Sequence, residues 1–426
     1  MFKHAPLSVF FLFLKQLLMC YFDNILFMNF FSKKEKEICL DYVSSTPVSR
    51  EVLDVMKSYW NEKYGNAGEN HKFGRDAKKT LDESREKIAK IFGANAKEII
   101  FTSGGTESNN LAILGFFNQI KKETGTLNGY HAITSEIEHS SVLKTFKHLE
   151  EDGLSVSYVK VNEQGLVDLK EFTASIKEKT IFVSIMMVNN EIGTIQPISE
   201  IAKIIRKHRK INSKNSIFPN LEFPIFHTDA SQAPLFFGLD VKKLGVDMLT
   251  IDGQKIYGPK GVGALYIKNG IKIQPLFFGG SQEFGLRSGT ENIPLIVGLS
   301  KALEIASNER EEISNKILKL REYFIDRILK EIPDSKLNGS IEQRTPNNIN
   351  ISFKNVDHEF LVVQLDENKI FCSTKSSCLN NKDGDSYVLN AINRDKVKMG
   401  GVRFSLGKET TKEDLDFVVE KLKKFV

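Results

Sequence analysis

From residue 38 onward, short apolar runs alternate with longer stretches in which apolar residues recur at helical spacing. The short runs predict strands at 38–42, 99–102, 131–134, 155–160, 181–188, 225–228, 248–251 and 263–267. The longer stretches predict helices at 50–60, 77–92, 107–121, 140–150 and 198–209. In 77–92 the apolar stripe is Leu81, Ile88, Ile91 and Phe92. Such alternation implies parallel strands joined by crossover helices, hence an α/β fold with a mainly parallel sheet covered by helices. After about residue 298 the texture changes. Charged helical sequence over 300–332 precedes a strand at 348–353 and helices at 359–368 and 412–425, a smaller α+β C-terminal domain. The polar, proline-containing stretch 212–224 reads as a surface insertion. The expected division is an extension over 1–37, an N-terminal part of the small domain over 38–51, a large domain over 52–298 and the rest of the small domain over 299–426.

The first residues follow a different pattern. Residues 5–31 are Phe-rich and apolar, yet Lys15, Gln16, Asp23 and Asn24 interrupt them. The uninterrupted runs 9–14 and 17–22 fall well short of the roughly 20 residues a membrane span needs. No small-residue cleavage site follows, as a signal peptide would require. The favoured reading is a true start at Met28, which precedes a polar leader. An anchor or signal, and a surface-adsorbed extension, stand as alternatives. Membrane contact through 1–27 is not expected.

Composition narrows the class. Hydrophobic residues make up 41% and charged residues 27%, an ordinary globular balance. At 426 residues, the net charge of +5 is too weak to argue for direct nucleic-acid binding. Four cysteines without CxxC spacing are neither a disulfide framework nor a zinc site, so no metal is expected. The chain reads as an enzyme of a reducing compartment, expected to be cytoplasmic.

Chemistry concentrates where strands end. Ser103-Gly104-Gly105-Thr106-Glu107-Ser108 follows one strand and opens a helix, so free N–H groups and a hydroxyl converge on an anion site. A plain glycine turn with Thr106 as N-cap is the bland alternative. Asp229 ends another strand, in His227-Thr228-Asp229-Ala230-Ser231-Gln232, the position at which α/β sheets place ligand contacts. Lys255 lies in the tight turn Asp252-Gly253-Gln254-Lys255. Desolvated there it could serve as a nucleophile; taken alone it reads more readily as a surface lysine.

More segments recur in a fixed order: Leu40-Asp41-Tyr42 with Thr46-Pro47-Val48, Tyr64-Gly65-Asn66 with His71, and Glu138-His139-Ser140. Residues 188–193, Arg287-Ser288-Gly289-Thr290, Ser376-Ser377-Cys378 and Arg403-Phe404-Ser405-Leu406-Gly407 complete the series. Together they resemble the cysteine desulfurases, pyridoxal-phosphate enzymes of the class V aminotransferase group with the fold-type-I architecture. The resemblance covers about residues 38–426. It implies that Lys255 holds the cofactor and moves the substrate Cα proton, that Asp229 pairs with the pyridine nitrogen, and that Gln232 bonds the ring hydroxyl. It further implies that His139 stacks on the ring and serves as acid or base, and that Thr106 with the Gly105 backbone, Asp252 and Gln254 forms the phosphate cup. Asn189, also beside the cofactor, and Arg403 would grip the substrate carboxylate. Thr290 would reach the phosphate of a neighbouring subunit, making the protein a homodimer.

Cys378 would be the sulfur carrier, attacking the sulfur of bound L-cysteine, holding it as a persulfide and releasing L-alanine. Its polar surroundings predict a mobile loop, and the resemblance is to the long-loop group that serves iron–sulfur scaffold and tRNA-thiolation acceptors. Lys375 and Lys382 would favour the thiolate. Cys20 and Cys39, in apolar sequence, would be inert and Cys372 structural. Two departures from the family pattern stand out. Asp252 and Gln254 replace the Ser and His usual before the lysine, and Ala67 replaces a proline. A carboxylate 4 Å from a phosphate charge costs about 1–4 kcal/mol. Asp252 is therefore expected to turn away, towards Lys260 or a backbone donor, rather than stay protonated. The alternatives are a selenocysteine lyase or other β-lyase, and a non-catalytic sulfur-transfer scaffold.

Overall fold

The computed structural model describes residues 36–212, 222–374, 386–392 and 400–426. The readings made on residues 1–35, on most of the 212–224 insertion, and on Lys375, Cys378 and Lys382 lie outside those residues.

Twelve strands are described: β1 (Ile38–Cys39), β2 (Ile99–Thr102), β3 (His131–Ser135), β4 (Ser155–Val159), β5 (Thr180–Ser184), β6 (Ile225–Asp229), β7 (Met248–Asp252), β8 (Gly263–Ile267), β9 (Ser335–Leu337), β10 (Asn348–Phe353), β11 (Ile370–Phe371) and β12 (Val402–Ser405). Seven of them form one sheet in the order β2-β8-β7-β6-β5-β3-β4. Strands β5, β6, β7 and β8 are buried at every residue, as expected for a sheet covered on both faces. The expectation of parallel strands needs one correction. β8 runs antiparallel to both β7 and β2. The ten residues between β7 and β8 are too few for a crossover, so the chain turns back. β2, β3, β5, β6 and β7 still share one direction.

Helices Gly105–Thr124 and Ser140–Glu151 bury a knot of aromatic rings against this sheet. Phe116 and Phe182 lie 5.0 Å apart between centroids, with Phe117 and Phe146 beside them. The helix expected at 77–92 is longer, Lys72–Phe92. His71 caps it through Nδ1, which accepts from Gly74 N, and its first turn is too polar to show a period. The charged helical sequence divides into Ile293–Asn308 and Arg310–Glu331. The expected domain boundary at 298 falls inside the first of these. A helix at Leu169–Ser175 was not foreseen.

The smaller sheet has the order β12-β10-β9, and β1 pairs in parallel with β11. Residues 38–43 thus join the C-terminal strands, and Asp41 bridges to Ser405. Among the described residues, no helix is long and apolar enough to cross a membrane.

Candidate active site

Open α/β sheets bind ligands at the carboxyl ends of their parallel strands. Here Gly105, Thr106, His139, Asp229, Gln232, Asp252, Gln254, Lys255 and Arg403 line one cavity at that edge. Asn189 and Thr290 do not.

Between β2 and the helix Gly105–Thr124, Gly104 adopts φ 149°, a conformation that side chains rarely enter. Gly263 packs directly on it; a Cβ at Gly263 would lie 2.8 Å from Gly104 Cα. This approach sets the helix start beside the end of β7. Its free N–H groups and dipole favour an anion there. The N-cap is Gly104, so Thr106 is not the cap but presents its exposed side chain to the cavity.

Asp252 already occupies part of this position. Its Oδ2 accepts from Gly105 N and from Gln254 Nε2, each at 3.2 Å, and its Oδ1 accepts from Gln254 N at 3.2 Å. Lys260 is exposed and is not a partner. Of the expected partners Asp252 takes backbone donors and not Lys260, and one of those donors lies at the helix start itself. As N-cap of the short turn 253–255, Asp252 is fixed at the end of β7, and its backbone donors are Gln254 N on that turn and Gly105 N at the helix start.

Asp229 ends β6 with its carboxylate held on both sides. Asn109 Nδ2 donates to Oδ2 at 2.7 Å, and Ser231 N donates to Oδ1 at 2.9 Å. Asn109 also donates to Ser141 Oγ at 2.9 Å. His139 caps the helix Ser140–Glu151, with Nδ1 accepting from Ser141 N at 3.2 Å, so the neutral ring carries its proton on Nε2. Lys255 Nζ donates to the carbonyls of Val43 at 3.0 Å and Ser44 at 2.6 Å, and Gln232 Nε2 donates to Val43 O at 3.1 Å. Thr46 ties this segment down through Gln254 O, at 2.9 Å from Thr46 Oγ1. The segment 40–48 thus roofs the lysine.

Arg403 extends from β12 and is buried. Its Nη2 donates to Asp41 Oδ1 at 2.7 Å and Ser44 Oγ at 2.8 Å, and its Nη1 to Asn190 O at 3.2 Å. The partner expected for it, Asn189, is a correction. Asn189 is buried in its own turn: Nδ2 donates to Ile137 O at 2.9 Å, while Oδ1 accepts from Glu191 N and Ile192 N. Asn190 lines the cavity instead, and its Oδ1 is buried without a partner. Asn109 and Ser44 also escaped sequence reading, and Asp41 and Ser231 stood in quoted segments without a role of their own. Asn109 left a signal of its own, a polar residue one turn beyond Gly105 on the inward face of a helix.

Glu138, beside His139, is fully buried. Burial pushes its carboxyl up to about 8, against hydrogen bonds from Ser135 Oγ and Met186 N that favour the charged form. A raised acid contributes stability that is complete below its ordinary value of 4.5 and is lost as pH rises through about 8. Glu138→Gln keeps the acceptor and removes the titration. In chemical denaturation, the variant's stability relative to the parent should therefore improve between pH 5 and pH 9 by on the order of a few kcal/mol. An unchanged difference would mean that Glu138 is ionised throughout.

Cys372 and Cys39 are free thiols. Burial pushes the Cys372 thiol well up, in keeping with a structural role. Cys39 is exposed, not packed in apolar surroundings; even so, desolvation and the carboxylates of Asp41 and Glu409 raise its thiol. Both are weak nucleophiles near neutral pH. Ser373 pairs with Arg403 through N–H···O bonds in both directions. Cys378 follows five residues later, a chain reach of up to about 17 Å from a root beside the cavity.

Four polar atoms of this site are buried without a hydrogen-bond partner: Asn109 Oδ1, Asn190 Oδ1, Ser231 Oγ and Arg403 Nε. Unpaired groups of this kind are costly unless a ligand meets them. With an anion site at one end, Asp229 and Lys255 in the middle and Arg403 at the other, they fit a phosphorylated aldehyde cofactor and an amino-acid carboxylate. Asp252 is the one discordant group. The site defines a pyridoxal-phosphate enzyme.

The aminotransferase class-V family model matches residues 38–418, and the chain belongs to that family. It is 43% identical over 393 residues to the cysteine desulfurase IscS of Dictyoglomus turgidum, covering 92% of this chain and 95% of that one. With the cysteine desulfurase IscS of Methanosarcina thermophila it shares 43% identity over 392 residues, covering 91% and 92%. Among solved structures, a NifS-like protein superposes with a TM-score of 0.81 at 35% identity, covering 91% of this chain and 99% of that one. SspA in complex with cysteine gives 0.73 at 33% identity, covering 87% and 99%.

Proposed function

We propose that this chain is a cysteine desulfurase that converts L-cysteine to L-alanine and carries the sulfur as a persulfide on Cys378. The observation that carries this reading is the single cavity joining Lys255, Asp229 and Arg403, with the chain leading to Cys378 rooted on the Arg403 strand. Bound there, pyridoxal phosphate supplies an electron sink for the substrate's α-carbon. Gly105, Thr106 and Ser231 would hold its phosphate and Asp229 its ring nitrogen, with Gln232 beside the ring. Arg403 takes the substrate carboxylate by its two-pronged donor set, exchanging the Asp41 and Ser44 contacts for it. Lys255 would move the Cα proton, and His139, oriented by its cap, would serve as acid or base in the same cavity. The carbon–sulfur bond of cysteine breaks, its sulfur joins the Cys378 thiolate, and the carbon skeleton leaves as alanine with a proton where sulfur was.

Thr290 is exposed and outside the cavity, on a turn tied to the phosphate end by Arg287 Nε donating to Glu107 Oε1 at 3.0 Å. Phe277, Phe278 and Phe284 beside it are exposed by half or more. Such a patch supports a homodimer in which Thr290 enters the neighbouring cavity. We assign the persulfide to iron–sulfur scaffold or tRNA-thiolation acceptors, in keeping with the IscS relatives, and the protein to the cytoplasm. The test is turnover by the yellow protein. One alanine per sulfur passed on, from a particle of twice the chain mass, is expected; a monomer at full cofactor occupancy, or no alanine, contradicts it.

A further inference from the structure

Asp252 stands where the cofactor phosphate must bind. Its carboxylate takes the Gly105 N–H at the start of a 20-residue helix, and both donors of Gln254. A Cβ added at Gly105 would lie 2.9 Å from Ser231 Oγ and 3.4 Å from Asp252 Oδ2. The unpartnered hydroxyl and the carboxylate therefore face the same few ångströms of the helix start. All three donors to Asp252 are neutral amides, and they lie at the helix-start end of the cavity.

We infer that Asp252 is an internal anion that competes with the cofactor's phosphate for the helix N-terminus, so that this chain holds pyridoxal phosphate loosely and exchanges it. This rests on the cofactor assignment above. In the cofactor-free chain the carboxylate satisfies the helix start, which stabilises that state. Loading the cofactor requires either displacement of the carboxylate from Gly105 N or retention of two like charges a few ångströms apart. The penalty falls on the phosphate alone. Pyridoxal, which has no phosphate, uses the same Lys255 and Asp229 without meeting Asp252.

The experiment compares cofactor-free parent with Asp252→Ser and Asp252→Asn. The serine keeps a capping oxygen without charge, and the asparagine keeps the shape. Each protein is titrated with pyridoxal phosphate and, separately, with pyridoxal, reading the visible band and equilibrium dialysis; melting temperature reports folding. Both variants should bind pyridoxal phosphate at least about tenfold tighter than the parent, as removal of one like charge at this range predicts. Their affinity for pyridoxal should stay within about twofold. Added inorganic phosphate should compete better in the variants. Yellow proteins of equal affinity, or variants that tighten on both ligands alike, overturn the inference and leave the cofactor assignment standing. Colourless proteins throughout, at saturating ligand, overturn the cofactor assignment and the inference with it.

Discussion

Lys255→Ala is expected to bleach the protein and to lower alanine formation by at least the 10²–10⁴-fold that a positioned proton-transfer group contributes. The Nζ group lies at the cavity wall, held by the carbonyls of Val43 and Ser44 at 3.0 and 2.6 Å. Those acceptors aim the amine. Asp229, Gln232 and the helix start are untouched by the substitution, so cofactor at saturating concentration should still enter, but without the band of the lysine-bound form. Lys255→Arg separates charge from chemistry. Arginine can keep the two carbonyl bonds, but it stays protonated and is no nucleophile. It should be as inactive as alanine. An active Lys255→Arg protein would show that the lysine serves only as a cation.

Cys378→Ala should keep the yellow band and lose the persulfide. A tethered, well-oriented nucleophile reaches effective molarities of about 10⁵ M or more. Even a small fraction of that makes the loss at least ~10²-fold against millimolar free thiol, which should restore part of the rate by taking the sulfur directly. The competing thiols are poorly placed. Burial raises the Cys372 thiol, and desolvation raises that of Cys39. Alanine formation at the parent rate would move the acceptor away from Cys378.

Much of the fold could be read because apolar runs report burial. Residues 99–102, 263–267, 348–353 and 412–425 form the expected elements to the residue. Direction is another matter. Gly263–Ile267 has the same composition whether it runs parallel or antiparallel, and only the ten-residue connection before it carries the information. Asp229 at a strand end was legible as a ligand-contact position, whereas Lys255 taken alone read as a surface lysine and was singled out only by the ordered series of segments around it. Asn189 and Asn190 differ only by which face of a turn each occupies, which no spacing rule decides. For Asp252 the backbone donor was foreseen but not which one. Repulsion from a phosphate was weighed, but not the capture of the carboxylate by a helix start that Gly104 and Gly263 bring within 3.2 Å.

The account's central claim is that cofactor chemistry at Lys255 delivers sulfur to Cys378. Peptide mass mapping of the yellow protein, taken after one turnover with L-cysteine and alkylation, tests it most directly. The account predicts one extra sulfur atom on the peptide bearing Cys378 and none on those bearing Cys39 or Cys372. Sulfur on either of those two, or alanine formed with no sulfur on Cys378, would contradict it.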